Sequence, residues 1–243
     1  GRNRRGAAPP DHPAKGRRAF GMRGFGVGDP GGSEIPMSEP ALLVVDVQCD
    51  FCPGGALAVP DGHEVVPLIN ALARRYRQVV LTQDWHPADH ASFASQHDGH
   101  EPFQTKDMHY GPQVLWPDHC VQGAPGAGLH PELDVPHAQL ILRKGIHRGV
   151  DSYSAFLEAD RVTRTGLDGW LTSHGITEVH ICGLATDFCV AWTALDARRF
   201  GLDATVIEDA CRAIDLDGSL ARAWDAMAAA GVRRARVADI LPA

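Results

Sequence analysis

Strand-like apolar runs and helix-like segments alternate along most of this chain, and that alternation restricts it to one fold class. "ALLVVDV", from Ala41, is a continuous apolar run of the kind that a strand buried on both faces requires. "EVVPLINALARRY" follows with helical spacing, Pro67 falling in a first turn where its missing N–H is tolerated, and "QVVLT" reads as the next strand. Further on come "AQLILR", the helical "GLDGWLTSHG", "EVHIC", a helix from about Asp187, "DATVIE", the helical "GSLARAWDAMAAAG" and "RRARVADI". This order predicts an α/β fold, a mostly parallel, doubly wound sheet with helices on both faces. Residues 85–137 break the pattern and are rich in His, Pro, Gly and Asp. A stretch of that length without periodicity in a compact domain is expected to carry function.

The alternation begins only after residue 36. Residues 1–36 contain nine glycines and five prolines, show no periodicity, and read as a disordered basic tail ahead of one folded domain over residues 37–243. A natural start at Met37 fits the same reading. The tail holds seven of the 23 Lys/Arg and three of the 30 Asp/Glu, which leaves a body with 16 basic and 27 acidic side chains. Such a body is a poor match for nucleic acid. No apolar run approaches the ~20 residues of a membrane-spanning helix, and no signal-type segment follows the basic start, so a soluble cytoplasmic protein is expected. Cys49, Cys52, Cys120, Cys182, Cys189 and Cys211 lack the dense spacing of a secreted disulfide scaffold, in keeping with a reducing compartment. The sequence leaves the oligomeric state open, a homo-oligomer included.

In a sheet of this kind, ligands bind beyond the carboxyl ends of the strands. Four polar residues stand where apolar runs stop: Asp46 after "ALLVV", Asp84 after "VVLTQ", Lys144 after "LILR" and Cys189 after "VHICGLATD". With Thr186 or Asp187 as N-cap, Cys189 falls in the first turn of a helix, where unpaired N–H groups and the dipole favour the thiolate. An aspartate to take the thiol proton, a lysine to stabilise charge and the N–H groups of a tight turn to hold an oxyanion together make acyl-transfer equipment. In "DWHPADH", Asp84 and His86 are two apart, so on an extended segment their side chains converge. His119 of "WPDHC", or His90, would close a carboxylate and imidazole site suited to zinc, iron or manganese.

"LLVVDVQCDFCPGGALAVPDG", "TQDWHPADHASF", "WPDHCVQGAPGAGLHPEL", "RKGIHRGVDSYSAF" and "GLATDFCVAWTALDA" resemble, in order, the signature blocks of the nicotinamidases among the isochorismatase-like cysteine hydrolases. The resemblance implies a three-layer, Rossmann-like fold and hydrolysis of nicotinamide to nicotinate and ammonia through a cysteine thioester, in NAD salvage. It implies Asp46, Lys144 and Cys189 as the triad, and the N–H groups of Ala185 and Cys189 as the oxyanion hole beside a cis Leu184–Ala185 bond. It implies one divalent metal ion, zinc foremost with iron or manganese as alternatives, on Asp84, His86 and His119 and reading the pyridine nitrogen. Phe51, Trp116 and Tyr153 would wall the ring pocket, and His90 is a ligand in only some relatives. Where the family usually has asparagine this chain has Cys49, which creates the C-x-x-C spacing "CDFC" with Cys52. With no second such pair and no thioredoxin context, that spacing is read as coincidental. Two rivals remain in view: a relative acting on a carbamoyl or ureido substrate, which would lack the metal motif, and a thiol redox or metal-binding module, which would leave Asp46 and Lys144 without a role.

Overall fold

Every side chain of β1 (Ala41–Val45) is buried, and so is every one of β2 (Val79–Asp84), as central strands covered on both faces require. In this computed structural model, which describes residues 39–241, they join β5 (Leu140–Lys144), β6 (Glu178–Leu184), β7 (Asp203–Arg212) and β8 (Arg233–Ala235) in one sheet of order β5-β2-β1-β6-β7-β8. All five pairings are parallel. The tail read at residues 1–36 lies outside the described residues. Among those described, no helix is long and apolar enough to cross a membrane.

Five α-helices accompany the strands among the described residues: α1 (Val65–Ala73), α2 (Leu167–Ser173), α3 (Ala191–Arg199), α4 (Ser219–Ala229) and α5 (Val237–Ile240). Helix α1 buries Val65, Val66, Ile69, Leu72 and Ala73, one stripe at helical spacing, and its large aliphatic side chains contribute about 1.5–3 kcal/mol each on burial. From β1 the chain steps to β2 on one side, whereas from β6 it steps to β7 on the other. Right-handed crossovers in opposite directions put α1 and α3 on opposite faces and open a crevice where the order reverses, between β1 and β6. The fold is thus the expected three-layer α/β arrangement, and its switch point lies at the ends of the strands that carry Asp46 and lead to Cys189.

Gly183 makes the β1–β6 pairing possible. Its φ is +117°, and a Cβ placed there would stand 2.1 Å from the carbonyl oxygen of Val45. Gly183→Ala is therefore expected to cost at least about 2 kcal/mol, strain and clash acting together, and to lower Tm by roughly 4–8 °C in a domain of this size. Thermal unfolding checks it; an unchanged Tm would mean that the two strands separate there without cost.

The structure differs from the sequence reading in three segments. Residues 85–137 hold an antiparallel hairpin, β3 (Thr105–Met108) with β4 (Gly111–Val114), whose sequences "TKDM" and "GPQV" carry no apolar alternation. The helix expected from Asp187 begins as a wide π-type turn, Thr186–Val190, in which the Ala185 carbonyl accepts from Val190 N–H at 3.1 Å, and only then continues as α3. "RRARVADI" divides into β8 and the one-turn α5, where the Asp239 carboxylate accepts from Arg236 N–H at 2.7 Å.

Candidate active site

Asp46 leaves the end of β1 with φ +50° and is fully buried. Its N–H donates to Thr82 Oγ1 at 3.1 Å, and the Thr82 hydroxyl donates to Asp46 Oδ1 at 2.5 Å. Parallel pairing of β2 and β5 places Asp84 beside Lys144, whose Nζ donates to Asp84 Oδ1 at 2.5 Å. The same ammonium donates to Ser152 O at 2.8 Å and faces Cys189 Sγ at 3.4 Å. Asp46 Oδ2, although 2.8 Å from Nζ, has no donor aligned on it.

That arrangement leaves a buried carboxylate oxygen free to take a proton. Burial pushes the Asp46 carboxyl up to about 6 against the pull of Lys144. Asp84 behaves in the opposite way: burial alone would raise it, but Lys144 and the neighbouring imidazoles hold it well below the usual carboxylate range. Lys144, between two carboxylates, stays charged despite its burial. The Cys189 thiol is pushed well up by burial, with Asp46 and Asp84 adding to the effect against Lys144. Burial, more than either neighbouring acid, thus opposes the thiolate that the helix start favours.

His86 and His119 face the other oxygen of Asp84. His86 Nδ1 is 2.9 Å from Gly145 O and His119 Nδ1 is 2.8 Å from Pro117 O, so each δ nitrogen donates and each ε nitrogen keeps its lone pair. The two Nε2 atoms lie 3.7 and 3.9 Å from Asp84 Oδ2, too far for hydrogen bonds and right for an ion bridged by bonds of about 2.0–2.2 Å. Burial lowers His119 to about 4, which keeps it in the neutral form that binds metal. The donor set of one carboxylate and two imidazoles therefore fits a divalent ion, all three ligand atoms lying within 4.8 Å of one another. His90 packs its ring 4.2 Å from that of His86, but Ser92 N–H donates to its Nδ1 at 3.3 Å and its Nε2 meets Val150 O at 3.1 Å. Both of its nitrogens are thus engaged with protein.

A narrow cleft opens over Cys189 and is lined by Phe51, Trp116, Tyr153, Phe188, Ala185, Asp84 and His119 among others. Trp116 Nε1–H donates to Tyr153 OH at 3.0 Å, and the Phe51 ring lies 5.5 Å from that of His119. The Leu184–Ala185 peptide is cis. Cys49 and Cys52 flank Phe51 in one tight turn, and all six cysteines are free thiols.

Several residues of the site were not singled out in the sequence. Thr82 shares a face of β2 with Asp84, two positions on, so strand periodicity was its signal. Gln48 had none: its side-chain amide donates to Asp84 O at 2.9 Å and accepts from Asp84 N–H at 2.8 Å, a contact made across 36 residues. Asp151 and Gln113, hydrogen-bonded to each other at 2.7 Å, meet across 38.

Residues 40–239 match the model of the isochorismatase domain. The chain belongs to the isochorismatase family. A family member named nicotinamidase, from Acinetobacter baylyi, is 59% identical over 201 residues, 83% of this chain and 94% of its own. The structure of a nicotinamidase and pyrazinamidase from Acinetobacter baumanii superposes with a TM-score of 0.83 at 56% identity, covering 86% of this chain and all of the other. A pyrazinamidase from Pyrococcus horikoshii, solved in complex with zinc, gives 0.67 at 34% identity over 82% and 99% of the two chains. The isochorismatase match begins at residue 40 and takes in every residue of the site described above.

Proposed function

We propose that this isochorismatase-family chain is a nicotinamidase, hydrolysing nicotinamide to nicotinate and ammonia and so serving NAD salvage. The observation that carries the chemistry is the buried Asp46 carboxylate, with Oδ2 2.8 Å from the Lys144 ammonium and an oxygen within 4.8 Å of the Cys189 sulfur, whose thiol burial pushes well up. Asp46 takes the proton of Cys189 as Sγ attacks the carboxamide carbon. The oxyanion is held by the N–H groups of Ala185 and Cys189, and Lys144 balances the negative charge as it passes between sulfur and carboxylate. Asp46 then gives its proton to the amide nitrogen, the C–N bond breaks, and ammonia leaves a thioester on Cys189. A water loses its proton to Asp46 and adds to the thioester carbon. The C–S bond breaks, the sulfur recovers the proton from Asp46, and the acid product departs as nicotinate, giving its remaining proton to the released ammonia or to solvent.

Phe51, Trp116 and Tyr153 line the cleft and would wall the ring. Asp84, His86 and His119 would hold a divalent ion, zinc on the donor set with iron or manganese as alternatives. When bound, the ion supplies a Lewis-acidic position for the pyridine nitrogen and so fixes the orientation of the ring.

Ammonia release from a panel of amides, measured with and without a chelator, tests the reading: nicotinamide and pyrazinamide should be turned over and a carbamoyl or ureido compound should not. The pH profile follows from Asp46. The base must be ionised and its carboxyl sits at about 6, so kcat/KM should be flat near neutrality and fall tenfold per pH unit below about pH 6. A profile unchanged down to pH 4.5 would remove Asp46 from the role of base.

A further inference from the structure

One buried carboxylate beside the reacting groups has no part in the chemistry above. Asp151 is 3% exposed and lines the same cleft as Cys189, Asp84 and His119. Its Oδ1 accepts from Ser152 N–H at 2.8 Å and its Oδ2 from Gln113 Nε2–H at 2.7 Å. Both donors are neutral, and no lysine or arginine among the described residues pairs with it. A carboxylate offers about four lone-pair directions, so these two bonds leave room for more. One of its oxygens also lies within 4.8 Å of a ring nitrogen on His86 and of one on His90.

The charge balance of the site gives this placement a meaning. Asp46, Asp84 and Asp151 gather three buried carboxylates near a single ammonium, that of Lys144. Buried charge without a counter-charge is strongly unfavourable. A divalent ion on Asp84, His86 and His119 supplies the two positive charges that are missing. We propose that Asp151 is the outer carboxylate of that ion: it approaches from the His86 side, accepts a hydrogen bond from a water on the ion, and sets how tightly the ion is held. His90, with both ring nitrogens engaged, leaves that position to the carboxylate. Gln113, which is 1% exposed on β4, anchors Asp151 and gives the β3–β4 hairpin a purpose in the site. The inference rests on the metal reading of the preceding section.

The test is zinc and manganese affinity, measured by chelator competition on the full-length apoprotein of wild type, Asp151→Asn and Asp151→Ser, together with Tm of each with and without zinc. Loss of a partner in the outer shell of a metal typically weakens binding by about 10–100-fold, and both variants should show that loss for both ions. Without metal, at least one variant should melt at or above the wild type, because an uncompensated buried charge has been removed, while its gain in Tm on adding zinc shrinks. Equal affinity in wild type and variants would overturn the proposal and leave the metal reading standing. Weaker binding accompanied by a lower metal-free Tm in both variants would mark a structural role and overturn it as well. A wild type that binds neither ion would overturn the metal reading itself.

Discussion

Cys189→Ala should abolish ammonia release from nicotinamide, with a loss of at least about 10⁴-fold in kcat, while Tm stays within a few degrees of the wild type. The size of the effect follows from the proposed mechanism and the geometry: Cys189 lines the cleft, its sulfur lies 3.4 Å from the Lys144 ammonium and within 4.8 Å of an Asp46 oxygen, and no other thiol lines the cleft. What survives the substitution can come only from ring binding and the oxyanion donors acting on water. The fold has little reason to fail, since Lys144 keeps Asp84 and Ser152 O as acceptors and remains 2.8 Å from Asp46 Oδ2. Asp46→Asn and Lys144→Ala should each lose at least about a hundredfold in kcat. Substantial amidase activity in a folded Cys189→Ala protein would end the thioester mechanism.

Nicotinamide should exceed benzamide in kcat/KM by about a hundredfold, although the two differ only in one ring nitrogen. A site built to satisfy one particular atom rejects the analogue that lacks it, by 10⁴ or more where buried hydrogen-bonding groups are left unpaired. The expectation here is smaller because a water can remain at the open position of an ion and offset part of the loss. His86→Ala removes one of the two lone pairs that face Asp84 Oδ2 and should raise KM for nicotinamide and erase most of the preference. Cys189 in that variant should still react with a small thiol reagent, since Lys144 and Asp46 are untouched. Equal kcat/KM for the two amides in the wild type would mean that nothing in the cleft reads the ring nitrogen.

The parallel sheet was legible because its strands are written as continuous apolar runs that no other environment accommodates, "ALLVV" and "VVL" among them. The β3–β4 hairpin was not, because Thr105–Met108 and Gly111–Val114 have almost no apolar signal of their own and pair under contacts from elsewhere, such as that of Gln113 with Asp151. The wide turn at Thr186–Val190 was hidden for a similar reason: its sequence is compatible with an ordinary helix start. Within the site, residues at strand ends could be nominated from topology, since each apolar run stops at a known position. The state of the thiol could not be read in the same way. It depends first on the burial of the sulfur and then on Asp46 and Asp84 lying near it from more than a hundred residues away, and local sequence holds no record of either. Gln48 and Asp151 were missed on the same grounds, their partners being 36 and 38 residues distant.

The side-chain amide of Gln48 gives to and takes from the backbone of Asp84 as a peptide group of a neighbouring strand would. It prolongs the ladder between β1 and β2 beyond the last paired residues, Val44 and Leu81, with a surrogate that no backbone supplies. Asp84 therefore cannot fray like an ordinary strand end: releasing it means breaking Gln48, Lys144 and the adjoining ladder together. Local opening at this carboxylate is thereby tied to the cooperative opening of the sheet itself, so the acid shared by Lys144 and the two imidazoles is released only when the sheet opens.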